Sequence, residues 1–526
     1  MLEPINYLRE AVVTMKPSSA IMVGISGARQ NAAVSLCIGG RLVAFCEQER
    51  VTRVRRDGLA KGSLPTDALG AVLRCANGVT LNDIQLYVTA ESDIRLPADV
   101  VTSRVDHHRA HAATAFYLSP FDTAGVLVCD RHPTEPTSAW VATDGRLTKH
   151  DWPALEAGFA SLYSEGAALF GLSHGQEHEL EGLARLDDGA DASRLEDLIT
   201  YRDGALRPSP QWKAFVLAWL ADAVPDALTH QARVASAFQH HLGSLLLAFA
   251  CDFRQRTGMR RLCVGGGLFY NTFFTTLLCQ SGIFEDVFIA PNPGNAGTAI
   301  GAVLDGADDR HPSSGDISPF LGPEYSGAEI KATLENCKLS YECLSEEQVI
   351  ATTVKAIAGG QLVGWFQGRM EWAQRALGHR SILANPLSPY ALDNLNTFLK
   401  HRPRHRAYGV SIPIDRVAEF FNGPPVSRFM EYEYRPSSLE TFQHMMPSGM
   451  QTLRVQTIDR GTKDGSNARY ERLHREFGKV TNVPVLVNTS FNGFSEPMVC
   501  SPRDAIRVFF GTGLDLLVLD RFVVRK

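Results

Sequence analysis

This sequence carries no surplus of positive charge: 52 lysines and arginines stand against 57 aspartates and glutamates, a formal net charge of −5. With no global positive field to draw the chain to nucleic acid or anionic lipid, any anion site has to be built locally. Long apolar runs are missing as well. None approaches the roughly 20 residues that span a bilayer, and Met1 to Lys16 holds Glu3, Arg9 and Glu10 where a signal peptide needs an unbroken apolar core, so the chain reads as cytoplasmic. The ten cysteines form no C-x-x-C pair and no metal-finger spacing, which points to reduced thiols in cores and not to a disulfide frame. What is present is 526 residues, 44% hydrophobic and 21% charged, enough for roughly two to four domains around a large core.

From Ile21 the pattern is strand, turn, strand: IMVGIS, GARQNA, AVSLCIGG and RLVAFCEQER. The same pattern returns at Ala124, where AGVLVCD, the turn RHPTEPT and SAWVAT precede an Asp-Gly turn, so two related lobes are expected. Ala232 to Arg256 has apolar residues at three- and four-residue steps and reads as a scaffolding helix. RLCVGGGLFYN runs a strand into Gly265, Gly266 and Gly267, and NPGNAG opens a further helix. Glycines there permit close backbone approach to a ligand, and helix starts bind anions. Asp305 to Pro323 concentrates Asp, Gly, Pro and Ser without periodicity and marks a domain boundary. The expected division is residues 1–310, a linker 311–340, and a second α/β domain 341–526.

Three segments could carry chemistry. GWFQGRMEWAQRALGHRSILANP sets Arg369, Glu371, Arg375 and Arg380 around a Gly-Arg turn, with Lys400, Arg402 and Arg406 further on. Guanidiniums grip phosphate oxygens through paired donors, so this is a candidate phosphate clamp; a solvated basic face paired with Glu371 and Asp393 is the competing reading. VLVNTSFNGFSEP ends a buried strand in Asn488, Thr489, Ser490 and Asn492, at the carboxyl edge where α/β sheets hold ligands. VDHHRAHAATAF places His107 and His111 four residues apart on one helical face, with Asp130 at the end of the next strand. Two imidazoles and a carboxylate suit Fe(II), Zn(II) or another divalent ion, although histidines satisfied in a polar core would look the same.

Taken in order, HHRAHAATAFYLSPF, EGLARLDDG, VGGGLFYN, LGPEYSGAEI, the arginine segment, RVQT and VNTSFNGFSEP resemble the carbamoyltransferase family of antibiotic and nodulation-factor biosynthesis, which includes the tobramycin and cephamycin enzymes. The resemblance runs nearly end to end. It implies an α/β architecture with an N-terminal double lobe of actin and sugar-kinase type, similar to the universal protein of tRNA threonylcarbamoyladenosine synthesis, and a C-terminal YrdC-like domain. It implies ATP and carbamoyl phosphate as substrates, a carbamoyladenylate intermediate, and transfer to a small-molecule acceptor of secondary metabolism. No nucleic acid or membrane partner is expected, and the assembly would be a monomer or homodimer. Carried over by position, Arg375, Lys400, Arg406, Arg454 and Ser490 would hold carbamoyl phosphate with Asn488 and Asn492 nearby. Gly265, Gly266, Gly267, Asn271, Asn295 and Arg369 are candidate nucleotide contacts. His107, His111 and Asp130 would hold a divalent metal, Fe2+ or Mg2+/Zn2+, and join His132 as candidate catalytic groups.

The first domain departs from that family pattern. Its first turn has Gln30 and Asn31 for the usual His-Asp, its second follows Asp130 with Arg131, His132, Pro133, Thr134 and Glu135 in place of a glycine loop, and Asn295 stands for an expected carboxylate ligand. An amide binds hard cations more weakly than a carboxylate. In the second domain Gln374 replaces a proline, and Ala407 and Tyr408 follow Arg406 in place of Pro-Phe. Three readings stay open: transfer to a hydroxyl with His132 or His108 as base, use of the activated carbamoyl group on an amine or other unusual nucleophile, or a nucleotide-binding subunit without turnover.

Overall fold

The computed structural model describes residues 20–526 apart from 60–62, 92, 93, 95, 97–99, 133, 153–156, 307–316, 404, 405 and 460–464. Met1 to Lys16, Pro133 and the first part of the expected linker therefore lie outside the described residues.

Strands β1 (Ile21–Ser26), β2 (Ala33–Ile38) and β3 (Arg41–Glu47) form an antiparallel meander, and β4 (Leu86–Thr89) and β5 (Thr102–Arg104) add in parallel beside β1, giving the order β3-β2-β1-β4-β5. The pattern repeats with β6 (Ala124–Cys129), β7 (Thr137–Thr143) and β8 (Arg146–His150). After a hairpin of β9 (Ile199–Arg202) and β10 (Ala205–Pro208), β11 (Arg261–Gly265) and β12 (Asp286–Ile289) complete the order β12-β11-β6-β7-β8. The two hairpins seen in the sequence are thus the seeds of two lobes with the same strand plan, the double lobe that the resemblance implies.

Helices His107–Tyr117 and Thr298–Asp305 lie face to face between these sheets. Their approach depends on glycine. A Cβ on Gly301 would stand 1.9 Å from the Ala110 carbonyl oxygen, and one on Gly24 of β1 would stand 1.9 Å from that of Ala299. The first helix starts where Asp106 accepts from Arg109 N–H at 3.0 Å, an N-cap that fixes where His107 and His111 emerge. The helix expected at Ala232 to Arg256 runs from Ala227 to Thr257, capped by Asp226 and ended by Gly258 at φ 69°. By length and composition it could cross a bilayer, but 67% of its apolar window is buried within the protein, and His241 Nε2 donates to the Ile199 carbonyl at 2.7 Å.

The C-terminal unit is a ten-stranded mixed sheet. Val363–Phe366 and Arg380–Ala384 pair in its middle, Leu486–Ser490 joins the latter antiparallel, and Gly409–Pro413 beside it pairs in parallel with Leu453–Ile458. The expected connector 311–340 is not a free linker where it is described. Phe320 is buried, Arg369 bonds the Leu321 carbonyl, and Gly327–Asn336 is a helix whose Ile330 and Leu334 enter the C-terminal core. One apolar core runs through both units, from Leu127 and Phe238 to Val410, Tyr432 and Tyr434. All ten cysteines are unpaired.

Because Gly301 has no room for a methyl group, Gly301→Ala should destabilise the protein by about 2 kcal/mol through overpacking. A thermal melt that matches wild type would show that the helix pair is not the tight contact described.

Candidate active site

A cavity of about 620 Å³ opens between the two units. Gln30, Asp130, Gly267, Asn271 and Asn295 line one side, and Arg375, Lys400, Arg406, Arg454, Asn488, Ser490 and Asn492 line the other. Most of the residues singled out from two distant stretches of sequence therefore face one space.

At the N-terminal end, nitrogens of His107 and His111 and an oxygen of Asp130 all lie within 4.8 Å of one another. His107 Nε2 is 3.0 Å from Asp130 Oδ2, and His111 Nε2 is 3.8 Å from the same oxygen. His111 Nδ1 faces the Pro293 carbonyl at 3.1 Å, so Nδ1 carries the proton and Nε2 keeps its lone pair. Asp130 Oδ1 accepts from Gly267 N–H at 3.1 Å. His111 and Asp130 are thus anchored by their outer atoms, as ligands of a divalent ion are, whereas His107 Nδ1 is buried without a partner among the described residues; the donor set fits a divalent ion. Asn295 Oδ1 lies 3.3 Å from His111 Nε2, so the amide is at the centre, where the family pattern has a carboxylate. Burial pulls the His111 pKa down to about 4 against the pull of Asp130. Burial also opposes charge on His107, but the hydrogen bond and charge of Asp130 outweigh it and raise that pKa.

His108 points elsewhere: Nδ1 meets Ser138 Oγ at 2.7 Å, and burial with the neighbouring His111 holds its pKa near about 2, which leaves a neutral structural ring. His132 stacks on His107 with ring centroids 5.2 Å apart, while its Nδ1 meets Thr134 Oγ1 at 3.1 Å. Neither it nor His107 nor His111 is among the residues that line the cavity; of the metal-type triad only Asp130 is.

At the C-terminal end the arginines divide by destination. Arg375 reaches across the unit boundary and donates to the Tyr270 carbonyl at 2.9 Å. Burial lowers its pKa, with Glu181 opposing. Arg380, by contrast, is fully buried and donates to the carbonyls of Gln367, Gly368 and Pro323, with its guanidinium 3.5 Å from the Phe366 ring centroid. Arg369 donates to the carbonyls of Val43, Leu321 and Gly322. The clamp expected from this segment is therefore corrected: Arg375 faces the cavity, whereas Arg369 and Arg380 tie down backbone, and Arg369 is not placed to meet a nucleotide there. Among the described residues Glu371 has no arginine side chain at ion-pair distance; its Oε1 accepts from the N–H groups of Leu377, His379 and Arg380 at 2.8, 3.1 and 3.0 Å. It folds the loop that carries Arg375.

Asn488 and Gln456 hold that loop from the other side. Asn488 Nδ2 donates to the Ala376 carbonyl at 3.2 Å and to Gln456 Oε1 at 2.9 Å, and Gln456 Nε2 donates to the Leu377 carbonyl at 2.9 Å. Lys400, at the end of a π-helical stretch, gives its three protons to Ser490 O, Asn492 O and Asn492 Oδ1 at 2.6, 3.0 and 2.5 Å. Its first effect is thus to shape the 490–492 loop. Ser490 Oγ also donates to Asn492 Oδ1, at 2.7 Å.

Gly265 and Gly266 serve packing. A Cβ on Gly265 would stand 3.0 Å from the His111 carbonyl, and one on Gly266, at φ 103°, 2.2 Å from that of Cys129. Gly267 lines the cavity; Asn271 does too, and it caps the helix Thr272–Gln280 through Phe273 N–H.

Sequence reading gave no role to the residues that join the two ends. Glu181 accepts from Arg185 at 2.5 Å and from Thr272 N–H and Oγ1 at 3.1 and 2.9 Å, and lies 3.6 Å from Arg454. Arg185 in turn pairs with Glu433 at 2.6 Å, and Arg406 pairs with Glu179. Burial, Arg185 and Arg375 pull the Arg454 pKa well below the guanidinium range, so an added anion would relieve it. EGLARLDDG, a motif with no assigned task, supplies Glu181 and Arg185. Glu47, Glu49 and Arg50, from the CEQER run, also line the cavity. Glu47 pairs with Arg50 at 2.6 Å and accepts from Asn292 at 3.0 Å.

Two outcomes follow. His107→Ala should lose bound divalent metal by elemental analysis; equal content in variant and wild type would remove the triad as a metal centre. Burial opposes ionisation of Glu179, but His178 and Arg406 hold its pKa down to about 2. A lowered acid pKa stabilises the fold above the unfolded value and loses that contribution as pH falls towards about 2. The acid limb of the stability profile should therefore be shallower in Glu179→Gln, and identical limbs would contradict the pairing.

The chain matches the carbamoyltransferase N-terminus over residues 95–304 and the carbamoyltransferase C-terminus over 354–526. It is 30% identical to nodulation protein NolO of Bradyrhizobium diazoefficiens over 80% of this chain and 79% of that one. It is 28% identical to a 3'-hydroxymethylcephem-O-carbamoyltransferase of Amycolatopsis lactamdurans over 50% and 49%. Among solved structures, full-length HypF in its phosphate- and nucleotide-bound form is similar over 56% of each chain, with 14% identity and a TM-score of 0.39. With both family halves present in order on one cavity, the chain belongs to the carbamoyltransferase family.

Proposed function

We propose that this enzyme uses ATP and carbamoyl phosphate to carbamoylate a hydroxyl group of a small-molecule acceptor, with a YrdC-like C-terminal unit as the activating half. The observation that carries the reading is the shared cavity: anion-binding side chains line one end, and the other end is lined by Asp130, which groups with the buried His107 and His111 in a metal-type triad.

Arg375, Arg406 and Arg454 supply paired donors for a phosphate group, and Asn488, Ser490 and Asn492, shaped by Lys400, frame its carbamoyl end. Water releases phosphate from carbamoyl phosphate and leaves carbamate. A carbamate oxygen then attacks the α-phosphorus of ATP and expels pyrophosphate, giving carbamoyladenylate. Activation is needed because the carbamate nitrogen quenches its own carbonyl, whereas the mixed anhydride leaves as AMP. In the N-terminal half the acceptor hydroxyl attacks the carbamoyl carbon, the C–O bond to AMP breaks, and the hydroxyl proton passes to a base. Gly267 and Asn271, which line the cavity, are the nucleotide contacts in this reading. His107, His111 and Asp130 would hold a divalent ion, which as a Lewis acid polarises the carbonyl or the attacking oxygen. Gln30 cannot take up a proton as the family's usual histidine would, so the base differs in this chain. The O-carbamoyltransferase relative supports a hydroxyl over an amine as acceptor, and the unpaired thiols suit a reducing compartment.

Incubation with ATP and carbamoyl phosphate should release pyrophosphate, and Arg375→Ala should slow that release on the order of 100-fold, the scale of losing a charged clamp on a reacting group. His107→Ala should keep pyrophosphate release and lose transfer to the acceptor. Undiminished release in Arg375→Ala would overturn the assignment of the anion pocket.

A further inference from the structure

Helix Glu177–Ala184 belongs to the N-terminal unit, yet its carboxylates are engaged by arginines of the C-terminal one. Glu179 pairs with Arg406, and Glu181 lies 3.6 Å from Arg454. Among the described residues these are the carboxylates at ion-pair distance from those two guanidiniums. The first residue of the same helix looks the other way. Glu177 accepts from Ser164 Oγ at 2.9 Å and from His174 Nδ1 at 3.2 Å, which leaves His174 Nε2 to accept from Gln30 Nε2 at 3.1 Å. Gln30 lines the cavity at its N-terminal end. One two-turn helix therefore touches both ends of the cavity.

A phosphate-type dianion seated on Arg375, Arg406 and Arg454 would bring two negative charges against the carboxylates that Arg406 and Arg454 already hold. Like charges at such range in a partly buried site repel by several RT, so both sets cannot keep the same partners. Glu181 has alternatives in Arg185 and the Thr272 N–H and hydroxyl, and Glu179 has His178 at 3.3 Å. Both can give way. The units themselves stay joined, because other bridges do not involve this helix: Arg53 donates to the carbonyls of Pro497 and Met498 at 2.6 Å each, and Tyr432 to that of Val287 at 3.0 Å.

We propose that Glu179 and Glu181 compete with a phosphate-type dianion for Arg406 and Arg454, so that filling the anion pocket releases helix Glu177–Ala184 and is transmitted through Glu177 and His174 to Gln30. The proposal rests on the assignment of the anion pocket under Proposed function. It makes the two carboxylates positioning residues: they keep the guanidiniums in place and compensated while the pocket waits, and they couple the activating end to the accepting end. By linkage, an acceptor that shifts His174 changes anion affinity by the same factor that the anion changes acceptor affinity.

The test is calorimetric binding of inorganic phosphate and of carbamoyl phosphate to the full chain, wild type against Glu179→Gln and Glu181→Gln, with hydrogen exchange of residues 177–184 in wild type with and without phosphate. Competition predicts roughly tenfold tighter phosphate binding in each variant, since the amide keeps the shape and removes the rival charge, and faster exchange in the helix once wild type is loaded. A carboxylate that only orients its arginine predicts weaker binding instead. Equal or weaker binding in Glu179→Gln, whose half-buried position tolerates the change if Glu181→Gln fails to fold, overturns the proposal, as does unchanged exchange on loading. Wild type that binds neither anion overturns the pocket assignment together with it, whereas wild-type binding without tightening in the variants overturns this proposal alone.

Discussion

The ion cluster of Glu181, Arg185, Glu433 and Arg454 sits where the two units meet, and the rest of the cavity depends on it. Unit charges about 4 Å apart interact by roughly 4 kcal/mol at an effective dielectric of about 20. Arg185, Arg375 and Arg454 brought together without compensation would force the walls apart. Glu181 and Glu433 supply that compensation from opposite units, and Thr272 satisfies both carboxylates from between them. The C-terminal unit cannot present its arginines alone, since Arg375, Arg406 and Arg454 each find a partner on the N-terminal side. Beside these ion pairs an apolar cluster also crosses the boundary, from Leu127 and Phe238 to Val410 and Tyr434.

Period and punctuation were enough to read the strands, the long helix and the duplication of the lobes from sequence, because those features repeat locally. Destinations of charged side chains were not legible in the same way. Arg369, Arg375 and Arg380 share one segment and one composition, and nothing local separates the one that faces the cavity from the two that bond carbonyls. The difference lies in which backbone groups the folded loop leaves unpaired, a property of Val43, Leu321 and Pro323, which are distant or separately read in sequence. Likewise EGLARLDDG was visible as a motif but mute as chemistry, since Glu181 acquires its meaning from Arg454, far along the chain. The described end of the expected linker shows the opposite limit. A composition typical of exposed loops also describes a segment such as Phe320 and Leu321 that is buried against a partner.

The histidine end shows how little of a metal-type site resides in its ligands. Asp106 sets the start of the helix, Gly301 and Gly24 let that helix sit close to its neighbour and to β1, and Gly265 lets β11 pass under the His111 carbonyl. Pro293 selects the tautomer of His111, and Gly267 anchors Asp130. With Asn295 an amide, the described ligand set carries a single carboxylate, so a divalent ion there would keep a net positive charge. Such a centre attracts an anionic oxygen more strongly than one already neutralised by a second carboxylate.

Tyr270 ties the two ends into one chemical space. Its carbonyl accepts from Arg375, its hydroxyl donates to Asn292 Oδ1 at 2.5 Å, and Asn292 donates to Glu47 at 3.0 Å. Its ring fills the room beside Gly294, next to the Asn295 that meets His111. On the proposed route, a mixed anhydride formed at the arginine end would be lost to water if it had to leave the protein before meeting an acceptor. A buried tyrosine fixed at backbone, ring and hydroxyl keeps the wall between the two ends continuous, and burial holds its hydroxyl protonated by raising its pKa beyond the ordinary phenol range. Tyr270 is therefore a donor in that chain and not a base, and its contacts reach both the Arg375 end and the Asn295 end of the cavity.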